Sequence, residues 1–366
     1  MANADLEESD YDLVLEVLRS GRLTMGPKTV EFERITAEYC GAKHAVAVNS
    51  GTAGLHLLCI IAGIKPGDEV ITPSFSFAAS TNCFLYLGAT PVFVDIEPET
   101  YCIDPALIEG AITTKTKAIL AVDVFGHPAD WNKISAIAER HSLKLISDAC
   151  ESLGAEYEGR KAGPFGIGGV FAYFPNKQVT TGEGGMIVTN DPDVWHAGRS
   201  LRNQGRDEIG GWLGHTRLGY NYRIDELSAA LGVAQMRRID QLLAKRKRAA
   251  ALYNELLKKE HRVRTPRVRP HVQMSHFVYV IELQEGLCRE DVMRGLEERG
   301  VPSRGYFSPI HQQKYIRELL ASPAPPLPVT ESVAARTIAL PFHNNLSSEE
   351  VTYVVSALKD VLDRLC

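Results

Sequence analysis

The stretch from Val170 to Asn190 carries an amine, Lys177, in a setting that suits covalent chemistry. Two β-prone runs, Val170 to Phe174 and Met186 to Thr189, bracket a turn-forming segment. Pro175 and Asn176 break the first run just before Lys177, and Gly182-Glu183-Gly184-Gly185 lets the backbone fold back into the second. The amine is therefore expected at the end of a buried strand. Burial disfavours a lysine's charged form, and a neutral amine attacks a carbonyl or aldehyde. Alone, the same residue also fits a solvated loop lysine.

Four further stretches bear on the choice. Asn49-Ser50-Gly51-Thr52-Ala53-Gly54 falls between a predicted strand and a helix, where free N–H groups and the helix dipole favour a phosphate. Such a turn is also common for steric reasons. Phe77, in Pro73 to Ala78, either stacks on a planar ring or begins the core face of its helix. Ile146 to Ala155 places Asp148 at the end of a buried strand, at the edge where open α/β sheets bind ligands. A carboxylate there caps the next turn or holds a cationic ligand atom, and Glu151 is a second acid nearby. Gly219-Tyr220-Asn221-Tyr222-Arg223 leads into a helix, with an N-cap region and a surface arginine as the plain reading. Together the set suits pyridoxal phosphate (PLP): phosphate at Thr52, ring against Phe77, Asp148 on the ring nitrogen, Lys177 in a Schiff base. Asp148 would keep the pyridine nitrogen protonated, so that the ring can take up electrons.

The elements that must position these residues alternate along the chain. Ala45 to Val48, Glu69 to Thr72, Pro91 to Asp95, Ala118 to Phe125 and Lys144 to Ser147 read as strands. Thr52 to Ala62, Phe77 to Leu87, Asp104 to Ile112 and Trp131 to His141 read as the helices between them. This pattern predicts an α/β fold with a mainly parallel sheet covered on both faces. Two helices, Asp10 to Arg19 and Lys28 to Cys40, precede it, and one from Asp191 to about Arg202 follows the lysine hairpin. The Gly-rich, polar Gly205 to Tyr220 is expected to be mobile or to form an interface. Ile224 to about Lys259 reads as one long helix bridging to a smaller α+β unit. There His276 to Leu283 and Val301 to Tyr306 are predicted strands, Arg289 to Arg299 and Ser347 to Leu365 helices, and Ala321 to Pro328 a proline-rich loop. A large domain over residues 1–245 and a small one over 246–366 are expected.

Composition narrows the class. The chain has 366 residues, 45% hydrophobic and 23% charged, with a net charge of −5, which gives no general attraction to nucleic acid. No apolar run has transmembrane length, and the acidic start, Met1 to Asp12, is not expected to be a secretory signal. Seven scattered cysteines without a CxxC pair imply neither a disulfide framework nor a zinc ribbon, and no metal site is expected. A reducing cytoplasm fits best. The basic stretch from Arg237 to Arg269 reads as the solvated face of a helix running into a loop, rather than a phosphate groove. The glycines of Gly163 to Gly169 do not give the GxGxxG of a dehydrogenase.

Over nearly its whole length the sequence resembles the DegT/DnrJ/EryC1/StrS sugar aminotransferases, a family of fold-type I PLP enzymes. The carriers are Thr24 to Pro27 with Phe32-Glu33, Asn49 to Ala53, Asp148 to Ala155, Phe174 to Lys177 with Gly182 to Gly185, and Gly219 to Arg223. The resemblance implies a homodimer with shared active sites, in which Asn221 reaches the phosphate of the partner's cofactor. It implies that Gly51, Thr52 and Ala53 bind phosphate, and that Glu151 lies beside the cofactor ring and its 3-hydroxyl. It also implies transfer of an amino group from glutamate to a nucleotide-linked keto sugar, with pyridoxamine phosphate as the intermediate cofactor form. Arg223 then binds either the donor carboxylate or a sugar-nucleotide phosphate. Met25, Gly26, Tyr306, Phe307 and His311 either line the sugar-nucleotide mouth or pack. Glu151 in its Asp-Ala-x-Glu setting resembles members acting at C4 of a 4-keto-6-deoxyhexose; C3 amination and a cyclitol ketone remain open. A sugar 3-dehydratase of the same fold would carry histidine in place of Lys177, and a non-catalytic regulator would need none of these residues together. In one departure, relatives usually have serine on the cofactor phosphate where this chain has Ala172.

Overall fold

A computed structural model describes residues 4–207, 214–320 and 323–365. Residues 208–213, inside the segment expected to be mobile or interfacial, and 321–322 of the proline-rich loop lie outside the described residues. Five strands open the alternating region: β1 (His44–Val48), β2 (Glu69–Pro73), β3 (Thr90–Val94), β4 (Thr116–Val122) and β5 (Lys144–Asp148). A short ribbon, β6 (Glu156–Tyr157) and β7 (Arg160–Lys161), precedes β8 (Gly168–Ala172) and β9 (Gly185–Thr189). Seven of these form one sheet in the order β1-β9-β8-β5-β4-β2-β3. Only β9 runs against its neighbours in this sheet; the remaining pairings are parallel.

Alternate residues of these strands enter different cores, as the two-residue period requires. Val46, Val170 and Ile187 pack with Leu55 and Leu58 of the helix Gly51–Ile61. Ala45, Phe171 and Met186 pack on the other face with Phe32 and Val233, from the helices Pro27–Cys40 and Glu226–Arg237. The carboxyl ends of β1, β2, β4, β5 and β8 consequently open on one edge.

The remaining strands are β10 (Val263–Arg264), β11 (Val272–Gln273), β12 (Tyr279–Leu283), β13 (Arg304–Gly305) and β14 (Thr337–Leu340). Four make an antiparallel sheet in the order β10-β12-β14-β13, while β11 joins β6 and β7. Tyr279 and Ile281 face a separate core with the helices Arg289–Glu297 and Ser348–Leu365, whereas Val280 faces the core of the large sheet. Asp95, just past β3, fixes this arrangement by capping the helix Pro328–Arg336: Val329 N, Thr330 N and Thr330 Oγ1 all donate to it, at 2.9, 2.8 and 2.7 Å. A cap of this kind contributes about 1 kcal/mol.

Several expectations are corrected. The long helix from Ile224 is two helices, Glu226–Arg237 and Ile239–Leu257, broken at Arg238. Arg238 turns inward instead, its guanidinium pairing with Asp5 at 3.3 Å and Asp10 at 2.8 Å. The basic stretch is thus not a solvated face throughout, since both Arg238 and Arg246 are buried. The helix Ile239–Leu257 supplies Leu242 to one core and Tyr253 to another. The strand expected from His276 begins at Tyr279, because Ser275 N and Phe277 N donate to Gly126 O and Phe125 O instead. The strand expected over Val301 to Tyr306 is only Arg304–Gly305. The second expected helix starts at Ala79, leaving Phe77 outside it and 66% exposed, which removes the core reading of that ring.

Candidate active site

The sheet's carboxyl edge carries a cavity of about 290 Å³, lined from the Ser50, Ser76, Asp148 and Lys177 stretches. At one end the strands close on each other without side chains between them. Val48 and Ala172 both pair with Gly185. A Cβ on Gly185 would lie 2.5 Å from Ser50 C, and one on Gly51 2.8 Å from Ala172 Cβ. Glycine is required at both places by this close approach. Gly51 and Thr52 therefore present the start of the helix Gly51–Ile61 to the cavity, with its positive dipole end. Ala53 does not join them: its N–H donates to Ser50 Oγ at 3.1 Å.

Asp148, the last residue of β5, is buried and held from two sides. Ser80 Oγ donates to Oδ2 at 2.6 Å, and Cys150 N donates to Oδ1 at 3.2 Å. Ser76 Oγ, 2.7 Å from Ser80 Oγ, extends the chain of hydroxyls. Burial and the Asp148 charge push the Cys150 thiol up, so it lines the cavity as a neutral group.

Lys177 follows β8 in a turn closed by its own N–H on Phe174 O at 2.9 Å. Its Nζ lies 3.6 Å from Glu151 Oε1 and 3.7 Å from the centre of the Phe277 ring. Phe125 N donates to Glu151 Oε2 at 2.8 Å. Burial raises the Glu151 carboxyl above the usual range, against the opposing pull of Lys177 and the Phe125 N–H. Gln178 locks the neighbourhood, donating to Glu151 O at 2.6 Å and Ser275 Oγ at 2.8 Å. Tyr306 and Phe307 also line the cavity.

The other candidates stand apart from this cavity. His311 bonds Ser74 Oγ through Nδ1 at 2.7 Å and faces Glu331 at 3.4 Å, so it anchors the loop that carries Tyr306 and Phe307. Met25 is half-exposed, and Gly26 sits against the Glu226 side chain at the start of its helix. Asn221 is exposed, while Arg223 Nη1 donates to Asn203 Oδ1 at 3.0 Å. The sequence motifs do not point to Ser80, Phe125 and Phe277: the two phenylalanines come from distant segments, and Ser80 lies just past the Pro73 to Ala78 stretch. The one hint was Ser76 and Ser80 in a hydroxyl-rich run beside Phe77.

The residues present fit PLP: a helix start for the phosphate, a buried carboxylate for the ring nitrogen, an amine for the aldehyde and an exposed aromatic beside them. Fold and site together define an aminotransferase of the large α/β class. Residues 4–359 match the DegT/DnrJ/EryC1/StrS aminotransferase family, and the chain belongs to it. Members of that family are PLP-dependent. The chain is 40% identical over 361 residues to GDP-perosamine synthase from Caulobacter vibrioides, covering 98% of this chain and 96% of that one. It is 34% identical to UDP-2-acetamido-2-deoxy-3-oxo-D-glucuronate aminotransferase from Pseudomonas aeruginosa, covering 94% of each. A Streptococcus pneumoniae structure described as a sugar aminotransferase in its PLP form superposes with a TM-score of 0.94 at 28% identity, over 100% of this chain and 98% of that one. Among the described residues no helix is long and apolar enough to cross a membrane, and no cluster suited to a metal ion occurs.

Proposed function

We propose that the chain moves an amino group from glutamate to C4 of a 4-keto-6-deoxyhexose attached to a nucleoside diphosphate. The carrying observation is the Lys177 amine, 3.6 Å from Glu151, in a cavity that also holds Asp148 and a helix start. The likeness to GDP-perosamine synthase supports a nucleotide-linked sugar as acceptor. Gly51 and Thr52 would hold the PLP phosphate, Phe77 the ring face, Asp148 the ring nitrogen and Lys177 the aldehyde carbon. Bound there, PLP supplies an electron sink for breaking the donor's Cα–H bond and carries the amino group between the two substrates.

The chain's own groups then divide the work. Lys177 Nζ takes the proton from the donor Cα and, in the second half, delivers one to C4 of the sugar. Ser80 and Cys150 N hold Asp148 in place, so its carboxylate would meet the ring nitrogen without reorganising. Phe277 and Tyr306 narrow the space around the amine and exclude water. We read the assembly as a cytoplasmic homodimer: Asn221 is exposed and clear of its own cavity, as a group serving a partner's phosphate must be. Arg223 is read as a substrate-anion ligand in the same assembly.

The test is product analysis after incubation with glutamate and a nucleotide-linked 4-keto-6-deoxyhexose, with nuclear magnetic resonance locating the new amine. An amine at C4 is expected. A 3-keto substrate turned over in preference would favour the second reading, C3 amination, which the Pseudomonas relative's 3-oxo substrate name supports.

A further inference from the structure

Arg246 stands in the middle of the helix Ile239–Leu257, on the side away from solvent, and is 4% exposed. Its guanidinium reaches two chain segments at once. Nη2 donates to Lys177 O at 2.8 Å and Asn176 O at 3.3 Å, while Nη1 donates to Phe277 O at 3.0 Å and His276 O at 3.3 Å. Four carbonyl dipoles thus converge on one buried cation, and the Phe342 ring lies 5.7 Å from its carbon. A planar, forked donor can satisfy two pairs of acceptors in this way, whereas an ammonium cannot. The two segments share more than this partner: the Phe277 ring centre is 3.7 Å from Lys177 Nζ.

We propose that Arg246 is a positioning residue for amino transfer, fixing the Lys177 main chain and the Phe277 main chain to each other and so setting where the amine stands. The inference rests on Lys177 being the reactive amine. Neither Arg246 nor its helix touches the cavity, so its effect passes through the two segments. Loosening it lets the amine drift between Glu151 and Phe277. A displacement of about 1 Å at a reacting group costs up to about a hundredfold in rate.

The experiment uses the full chain with PLP bound and compares wild type with Arg246→Lys and Arg246→Met. Three quantities are read: kcat and KM for glutamate, the pH midpoint of the bound cofactor's absorbance, and backbone hydrogen exchange. For Arg246→Lys, kcat should fall about tenfold or more, with KM for glutamate within about twofold. The absorbance midpoint should move, and exchange should rise in peptides covering 174–178 and 275–278 but not elsewhere. Arg246→Met should be at least as impaired; if it does not fold, Arg246→Lys alone decides. A lower melting temperature with kcat per bound cofactor and the pH midpoint unchanged would overturn the proposal, since a merely structural arginine behaves so. Borohydride reduction and peptide mapping of wild type separate the two readings. Cofactor fixed elsewhere than Lys177 overturns the underlying reading, and this inference with it. Cofactor on Lys177 with Arg246→Lys matching wild type overturns this inference alone.

Discussion

Glu151 Oε1 lies 3.6 Å from Lys177 Nζ, and both side chains are almost closed to water. The pair joins a carboxylate from the turn after β5 to an amine from the turn after β8, two strands that are neighbours in the sheet. Burial is the largest influence on Glu151 and raises its carboxyl. The folded protein then binds that proton more tightly than the unfolded chain does. Its contribution to stability is present below the ordinary glutamate value and is lost as pH rises through the raised folded one. Glu151→Gln removes this loss. In cofactor-free protein, the variant's stability relative to wild type should climb as pH rises above about 4, near the unperturbed glutamate value. Urea unfolding at a series of pH values reads the slope; a flat or falling difference contradicts it.

Asp148 accepts from Ser80 Oγ at 2.6 Å and is the carboxylate proposed to meet the ring nitrogen. Asp148→Asn keeps the shape and removes the charge. A lost hydrogen bond between charged groups is worth about 1.5–3 kcal/mol, so amino transfer should slow about ten- to hundredfold. Single-turnover kinetics with glutamate measure it, and circular dichroism should show the fold unchanged.

Ala172 lines the cavity beside the helix start, and its Cβ abuts Gly51. Ala172→Ser would restore a hydroxyl to the phosphate end. One added hydrogen bond to a charged phosphate, about 1.5–3 kcal/mol, should tighten PLP binding about ten- to hundredfold. Fluorescence titration of the cofactor-free protein gives the ratio; equal or weaker binding would mean the hydroxyl finds no room there.

Glu226, buried at the start of its own helix, caps another. It accepts from Lys28 N at 2.8 Å and Thr29 N at 2.9 Å, and also from Thr29 Oγ1. Glu226→Gln turns part of this acceptor set into donors facing donors, which should cost about 1–3 kcal/mol in urea unfolding. The effect should be felt in Met25 and Gly26, just before the capped helix.

Local signals carried the fold a long way in this chain. Proline at 27, glycine at 21 and 41, and the apolar strand runs place most of the expected elements within a residue or two of the structure. What failed depends on distant contacts. Arg238 breaks a helix because Asp5 and Asp10, more than 200 residues earlier, offer it buried partners. Arg246 has the periodicity of a surface residue and is buried because carbonyls of two remote loops converge on it. At the site, the lysine, the carboxylates and the helix start announced themselves by turn chemistry at strand ends. Phe125 and Phe277 did not, since each acts through where the chain returns rather than through its neighbours in sequence.

If Lys177 carries amino transfer from glutamate to a nucleotide-linked keto sugar, the colour of the bound cofactor reports each half of the reaction. Wild-type protein loaded with PLP should be yellow, bleach on adding glutamate, and regain its colour with a nucleotide-linked 4-keto-6-deoxyhexose. Lys177→Ala should complete neither change at a comparable rate. Full-rate transfer by Lys177→Ala would rule out Lys177 as the reactive amine, and bleaching by glutamate that no nucleotide-linked keto sugar reverses would rule out such a sugar as the acceptor.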